Sequence, residues 1–327
     1  MHKLITLTLV AGVAAFAALT AIPAGASPAG VNGKIAYDRT DPATGDTFVY
    51  TANPDGSHVQ QLVPFTCCPS WSHDGSKLAI PALTEDGRIA TATVNADGSG
   101  YTPLPINDPT LNVGCAGGAW SPNDAQLACE SWDDSNPARN GIYTLSSADG
   151  SDFTRLTNPL GGDDQAGAYS PDGKRLVFAR FDQNGDSLGL FVIKTNGTDL
   201  RQITPPGTLI QGGNDGDWSP QGNDIVFSRH VTADVRGSLW VVHADGSGLH
   251  EIHVQGLTCG GSVFDPNGFG CHEPHWSPDG KKIIFGANSP ATGRNIYTVN
   301  ANGSGLSQVT RDGDDDDPAW GTHPPVA

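Results

Sequence analysis

The feature that most constrains this chain is a short pattern that returns at a fixed interval. Its clearest copy is Trp276-Ser277-Pro278-Asp279-Gly280. The aromatic anchors of all copies are Trp71, Trp120, Tyr169, Trp218, Trp276 and Trp320. Successive anchors are 49, 49, 49, 58 and 44 residues apart. A period of this size indicates a repeat architecture in which each repeat is one supersecondary unit.

One repeat reads as four short strands joined by tight turns. In the best example these strands are predicted at residues 168–170, 174–180, 188–195 and 200–204. Ser170-Pro171-Asp172-Gly173 has the composition of a type I turn, with Pro at its second position and Gly at its fourth. Asn196-Gly197 predicts a tight hairpin, since both residues tolerate positive φ. The 42 Gly and 24 Pro of the chain agree with many turns and no long helix.

The two ends of the repeat series complement each other. Lys34-Ile35-Ala36-Tyr37 matches the second strand of a repeat, but no tryptophan strand precedes it. Pro318-Ala319-Trp320 matches a first strand, but no further repeat follows it. In a closed ring the last strand can complete the first blade and protect its open edge. We therefore predict an all-β, six-bladed β-propeller over residues 32–322, with four-stranded antiparallel blades and the first blade closed by the C-terminal strand.

The N-terminal 26 residues have the features of a signal peptide. His2 and Lys3 precede a short apolar run, and Ala24-Gly25-Ala26 has the small-x-small pattern of a cleavage site. We expect export, to the periplasm or outside the cell, with residues 27–31 as a short lead and 323–327 as a tail. The apolar run is short for a membrane span, so we expect no stable membrane insertion.

The net charge of -17 excludes some partners. An acidic chain is poorly suited to nucleic acid, because phosphate contacts need Lys and Arg. We expect a soluble monomer that binds no nucleic acid.

Six cysteines in an exported chain predict disulfides. Cys259 and Cys271 flank the insertion that lengthens one repeat, and Cys115 and Cys129 lie almost symmetrically about a predicted hairpin turn. These are the two expected bridges. Cys67 and Cys68 are left as a vicinal pair or as free thiols.

The pattern resembles a known family. Trp-Ser-Pro-Asp-Gly-Lys before an aliphatic strand, followed by an Asp-Gly-Ser hairpin, resembles the WD40-like repeat of TolB-type β-propellers, without the N-terminal α/β domain of TolB proteins. The resemblance covers residues 32–322. It implies a propeller fold, which in this family serves binding proteins, regulatory domains of peptidases and some polysaccharide lyases.

Acidic residues cluster just before the first strand of several repeats. That strand is innermost in a propeller, so these residues should meet at the mouth of the central channel. They are Asp163, Asp164, Asp215, Asp217, His272, Glu273 and the run 314–317, which includes Asp316 and Asp317. We predict that this ring binds a basic segment of a partner or a hard cation such as Ca²⁺. The alternative is a solvated acidic rim.

His272 and His275 are separated by two residues, one of which is Pro274. Proline excludes a helical zinc motif here. With Asp215 the two histidines are candidate transition-metal ligands, and ordinary packing histidines are the alternative.

No residues were identified as catalytic, because the chain has no Gly-x-Ser-x-Gly elbow and no phosphate-binding loop. We expect a non-enzymatic scaffold for protein or peptide partners, which requires no cofactor. The alternative is a metal-dependent enzyme, resembling a polysaccharide lyase, that uses the central histidines.

Overall fold

The computed structural model describes residues 30–84, 87–105, 114–133, 135–210, 216–230, 236–261, 269–289 and 291–323. In this part of the chain the strands form six sheets, which are the blades of a β-propeller. All pairings between consecutive strands of a blade are antiparallel. The six-bladed fold predicted from the repeat is confirmed.

Blade one contains β1 (Asn32–Thr40), β2 (Thr47–Ala52) and β3 (Gln60–Pro64). Blade two contains β4 (Ser70–Trp71), β5 (Lys77–Leu83), β6 (Ile89–Asn95) and β7 (Thr102–Pro103). Blade three contains β8 (Ala116–Trp120), β9 (Gln126–Ser131), β10 (Gly141–Ser146) and β11 (Thr154–Arg155). Blade four contains β12 (Asp163–Tyr169), β13 (Arg175–Phe181), β14 (Ser187–Lys194) and β15 (Arg201–Gln202). Blade five contains β16 (Leu209–Ile210), β17 (Asp217–Trp218), β18 (Asp224–His230), β19 (Ser238–His243) and β20 (His250–Glu251). Blade six contains β21 (Gly270–Trp276), β22 (Lys282–Ser289), β23 (Gly293–Asn300) and β24 (Ser307–Gln308).

The last strand, β25 (Asp315–Thr322), completes blade one. It pairs antiparallel with β1, where Ile35 lies opposite Trp320 and Asn32 opposite Thr322. Beyond the strand, the His323 N–H donates to the Val31 carbonyl at 2.8 Å. The predicted closure of the ring by the C-terminal strand is confirmed.

The core lies between blades, because each sheet buries both of its faces against neighbours. Six clusters of buried apolar residues each draw members from two adjacent blades. One of them joins Ile284 and Ile296 of blade six to Ile35 and Trp320 of blade one. The anchor aromatics belong to these interfaces, so the repeat pattern is explained by packing between blades.

The turns agree with the repeat, with one difference. After Tyr169, the Gly173 N–H donates to the Ser170 carbonyl at 2.8 Å, as in a type I turn. Of the pair Asn196-Gly197 at the outer hairpin, only Gly197 takes a positive φ, of 80°. The Asn196 side chain instead accepts the Thr198 N–H at 3.1 Å, which favours a longer loop with Gly at its left-handed position.

The innermost strands also differ from the prediction. β12 begins at Asp163, five residues before the predicted start, so the acidic residues lie on the strand and not ahead of it. In blade five the innermost position holds two short segments, β16 and β17, which both pair with β18.

The cysteines form three bridges: Cys67–Cys68, Cys115–Cys129 and Cys259–Cys271. The last two are the expected pairs, and Cys67 and Cys68 adopt the vicinal alternative. Three disulfides are typical of an oxidising compartment. The described residues include one three-residue 3₁₀ helix, Pro137–Arg139, and none of their helices is long and apolar enough to cross a bilayer. The proposed signal peptide, residues 1–26, lies outside the described residues.

Candidate functional site

The innermost strands surround the central channel. β8 contacts β4 and β12, β17 contacts β12 and β21, and β25 contacts both β21 and β4. The ring of innermost strands is therefore closed.

In several blades the residue three positions before the anchor aromatic has a positive φ, in the left-handed region. The φ angles there are 58° at Cys68, 65° at Gly117, 49° at Glu273 and 45° at Asp317. Shifts of pairing register accompany this position in β8, β21 and β25. Such a bulge redirects the side chains on either side of it, and strained non-glycine residues of this kind are concentrated at functional sites.

Where blades six and one meet, His272 and Asp316 form the centre of a polar cluster. His272 Nε2 lies 2.6 Å from Asp316 Oδ1, and Arg294 donates to Asp316 Oδ2 at 2.9 Å. Burial opposes a charge on the imidazole, but the attraction of Asp316 outweighs it and raises the pKa of His272. Burial likewise opposes ionisation of Asp316, but His272 and Arg294 leave the pKa of that carboxyl below its usual value.

Space for this pair depends on a glycine. Gly286 lies on β22 opposite His272. A Cβ atom added to Gly286 would lie 2.6 Å from His272 Nε2 and 2.9 Å from Asp316 Oδ1. Any larger residue at this position would separate the histidine from its carboxylate.

A second group of carboxyls lies beside that pair. Glu273 Oε2 accepts the main-chain N–H of Asp317 at 3.1 Å. Burial, followed by the charge of Glu273, raises the pKa of Asp317 well above its usual range. Burial and the charge of Asp317 do the same to the pKa of Asp38 on β1. Both carboxyls therefore hold a proton more tightly than an ordinary aspartate does.

Other acidic residues of the predicted ring are neutralised by arginine. Asp164 is fully buried and accepts two hydrogen bonds from Arg180, at 2.6 and 2.8 Å. Asp315 is fully buried and accepts a bond of 2.6 Å from Arg39. These two pairs occupy equivalent positions in blades four and one. Their carboxylates are structural and do not present a free negative charge at the channel.

Asp217 and His275 lie between blades five and six. Asp217 Oδ2 accepts the main-chain N–H of Trp276 at 2.7 Å and lies 3.6 Å from His275 Nδ1. Both residues are buried. His275 and His272 thus contact different carboxylates, and the structure does not bring them to one common set of donors.

Glu130 and Asp163 form a different kind of pair, between blades three and four. Glu130 is 5% exposed, and its Oε2 has no hydrogen-bond partner among the described residues. Burial, with the nearby charge of Asp163, raises the pKa of Glu130 well above its usual range. Burial and the charge of Asp164 raise the pKa of Asp163 to about 6. No arginine or lysine side chain forms an ion pair with either carboxyl among the ion pairs of the described residues.

The structure thus assembles the predicted residues into separate groups. One group contains His272, Glu273, Asp316 and Asp317. Asp163 lies apart from it, near Glu130. Asp164 and Asp217 form hydrogen bonds within the blades and are structural. Asp215 lies outside the described residues. Sequence reasoning missed Asp38, Glu130 and Arg294. Asp38 and Glu130 follow the first aliphatic residue of their second strands by three positions, where the other blades carry Pro81, Ala179, Ser228 and Gly286. An acidic residue at a position otherwise occupied by small or neutral residues was the available signal.

The groups have distinct chemical capacities. In the described part of the chain, one donor atom each from His272, Glu273 and Asp316 lies within 4.8 Å of the others, a spacing that a metal ion can bridge. Neither carboxyl of the Glu130–Asp163 pair has an arginine or lysine partner among the described residues, and a cationic group placed beside them would favour their ionised forms.

This architecture defines a six-bladed β-propeller. A family model described as the TolB beta propeller domain matches residues 112–324, and the chain belongs to that family. No curated protein matches the sequence.

Several solved structures share the fold. TolB from Acinetobacter baumannii is 20% identical, with a TM-score of 0.67, over 95% of this chain and 70% of that one. Hydrazine synthase from Kuenenia stuttgartiensis is 14% identical, with a TM-score of 0.66, over 89% of this chain and 47% of that one. Oligogalacturonate lyase from Vibrio parahaemolyticus is 11% identical, with a TM-score of 0.54, over 90% of this chain and 81% of that one. At these identities the likeness concerns the fold alone.

Proposed function

We propose that this protein is an exported β-propeller scaffold that binds a protein or peptide partner at the acidic mouth of its channel. The N-terminal segment with its Ala24-Gly25-Ala26 site, together with the three disulfides, supports export. Loops and strand ends carried on a rigid frame are the usual recognition surface of such folds.

The observation that carries the proposal is the Glu130–Asp163 pair. A buried carboxyl oxygen without a hydrogen-bond partner destabilises the fold, because burial removes its hydrogen bonds to water and no other hydrogen bond replaces them. A Lys, Arg or α-amino group of a partner beside Asp163, the more exposed of the two residues, would neutralise it and favour the ionised form of Glu130. The other buried carboxylates of the mouth, Asp164 and Asp315, already have arginine partners within the chain.

The test is a comparison of baits in an affinity capture from the culture medium of the source organism. The baits are the mature wild type, the variant Glu130→Gln/Asp163→Asn, and Asp199→Asn as a control at an exposed carboxylate. We expect a partner that is retained by wild type and Asp199→Asn and lost with the double variant. A partner held equally by all three baits would show that this pair is not the recognition surface.

A metal-dependent enzyme is the second candidate, favoured by the spacing of His272, Glu273 and Asp316. Metal analysis of the purified protein tests it. A stoichiometric transition metal that is lost in His272→Ala but kept in His275→Ala would favour the enzyme, because His275 contacts Asp217 instead. Metal-free protein that still captures a partner would favour the scaffold.

A further inference from the structure

The vicinal cysteines lie against two carboxylates from other strands. Cys67 and Cys68 precede β4, Asp38 lies on β1, and Asp317 lies on β25. Cys68 Sγ is 3.0 Å from Asp317 Oδ2. Within the described residues, one donor atom from each of the four side chains lies within 4.8 Å of all the others. The cluster therefore combines two sulfurs and two carboxylate oxygens in a space that a single ion can bridge.

This donor set suits zinc and similar cations. Zn²⁺ binds Cys sulfur at about 2.3 Å and carboxylate oxygen at about 2.0–2.2 Å, in tetrahedral sites of four ligands. The ligand atoms of such a site lie roughly 3.3–3.8 Å apart, as follows from those bond lengths. The four donors lie within 4.8 Å of one another, and reduction would let the two sulfurs separate from their bonded distance. The thiolate is the form of cysteine that ligates metals, so the bridged sulfurs are not available.

The bridge can be opened without removing a constraint on the fold. It joins adjacent residues, whereas Cys115–Cys129 and Cys259–Cys271 join residues separated by 14 and 12 positions. A disulfide that closes no loop restricts the unfolded chain least and so contributes least to stability. Cys67 is partly exposed, as is Cys259, whereas Cys115 and Cys129 are both buried. Because the Cys67–Cys68 bridge is partly exposed and also closes no loop, a reductant should reduce this bridge first.

The carboxylates are already held in place. Asp38 is 7% exposed and lies on the strand that pairs with β25. The main-chain N–H of Asp317 donates to Glu273 Oε2 at 3.1 Å, which fixes the backbone from which the Asp317 carboxylate projects. Outer contacts of this kind orient metal ligands in known sites.

We propose that reduction of the Cys67–Cys68 bridge converts this cluster into a site for Zn²⁺ or a similar divalent cation, with both thiolates and the carboxylates of Asp38 and Asp317 as ligands. This assignment goes beyond the binding function proposed above and involves different residues. The electrons come from a dithiol reductant. One of its thiolates attacks a sulfur of the bridge and forms a mixed disulfide, and its second thiol then displaces the cysteine. The reductant leaves as a disulfide. When the cation binds, the two cysteine thiols and the protonated carboxyls of Asp38 and Asp317 release their protons to solvent.

The experiment uses Co²⁺ as the probe, because thiolate coordination of cobalt gives a charge-transfer band in the near ultraviolet. The mature protein is treated with a dithiol, freed of it under anaerobic conditions, and assayed for thiols. After reduction we expect two thiols per chain and one bound Co²⁺ with the charge-transfer band of thiolate coordination. The untreated protein should show no thiols and no such band. The variant Cys67→Ser/Cys68→Ser, treated in the same way, should yield no thiols and no band, which shows that the other bridges stay closed.

The carboxylates are tested by Asp317→Asn and, separately, by Asp38→Asn. Each should weaken Co²⁺ binding by about tenfold or more, whereas Asp199→Asn should leave it unchanged. Thermal unfolding of each variant identifies one that fails to fold, and the other then carries the test. Two free thiols without the charge-transfer band would overturn the proposal. So would binding that persists in the serine variant, or equal binding by the folded Asn variants and the control.

Discussion

Trp218 of blade five donates its indole N–H to the main-chain carbonyl of Ala168 in blade four, at 3.1 Å. The equivalent bond in another interface joins Trp120 to Ser70, also at 3.1 Å. At these two interfaces the anchor tryptophan therefore joins one blade to the preceding one by a hydrogen bond as well as by apolar contact. The indole nitrogen of Trp276 is also buried, but it has no partner among the described residues.

This difference predicts unequal costs for the same substitution. Trp218→Phe and Trp276→Phe remove similar volume, but only Trp218→Phe leaves a buried carbonyl without its donor. We expect Trp218→Phe to lower the free energy of unfolding by about 1–2 kcal/mol more than Trp276→Phe. Urea unfolding of both variants measures the difference. Equal losses would mean that the bond adds nothing beyond apolar packing.

Removal of the closing strand should destabilise the whole domain. A chain that ends before Pro318 loses most of β25, including Trp320, which is 3% exposed. It also exposes the edge of β1. We expect a single unfolding transition at a clearly lower temperature, measured by calorimetry. Deletion of residues 324–327 alone, which leaves β25 intact, is the control. An unchanged melting temperature in the longer truncation would contradict the closure argument.

The ion pair of Arg180 and Asp164 should be far more sensitive than a surface pair. Arg180 also lies over the rings of Phe178 and Phe191, at 5.3 and 5.2 Å from their centres. Arg180→Ala leaves Asp164 buried and unpaired, so we expect a loss of about 3–5 kcal/mol in unfolding free energy. Lys194→Ala removes an exposed partner of Asp199 and should cost less than about 1 kcal/mol. Similar losses in the two variants would refute the distinction.

Asp163 should make stability fall as the pH rises towards neutrality. Burial and the charge of Asp164 raise the pKa of Asp163 in the folded chain to about 6. The pKa of an aspartate in the unfolded chain is about 3.9. Protonation therefore favours the folded state. This contribution is fully present below about pH 4 and is lost as the pH passes through about 6.

The measurement is unfolding free energy between pH 4 and pH 7 for wild type and Asp163→Asn. The difference between the two should change across this window by no more than about 3 kcal/mol, with wild type losing relative stability as the pH rises. Parallel curves would show that Asp163 does not titrate with a raised pKa. If the proposed partner is cationic, its capture should strengthen over the same pH range, as the carboxylate ionises.

The fold could be predicted from the sequence because the repeat encodes local structure and packing together. The Ser170-to-Gly173 turn and the aliphatic strand that follows define one hairpin, and the unmatched strand at Trp320 predicts the closure. The site could be predicted only in part. Alternation along a strand fails at a bulge, and the left-handed residues Glu273 and Asp317 fall among the acidic side chains themselves. The sequence pattern also does not reveal that Arg180 reaches Asp164, 16 residues earlier, and neutralises it.

The pairing of β1 with β25 has a consequence for the order in which the chain can fold. Asn32 lies opposite Thr322, so the first blade draws on both ends of the repeat series. While the chain is being synthesised, blades two to six can assemble in turn, but β1 must wait with an unpaired edge until the last strand has emerged. Contacts between such distant residues form slowly, and unpaired edges invite association with other chains. The ring is thus completed only once β25 is available, and the interval before completion is when the chain is most exposed to misassembly.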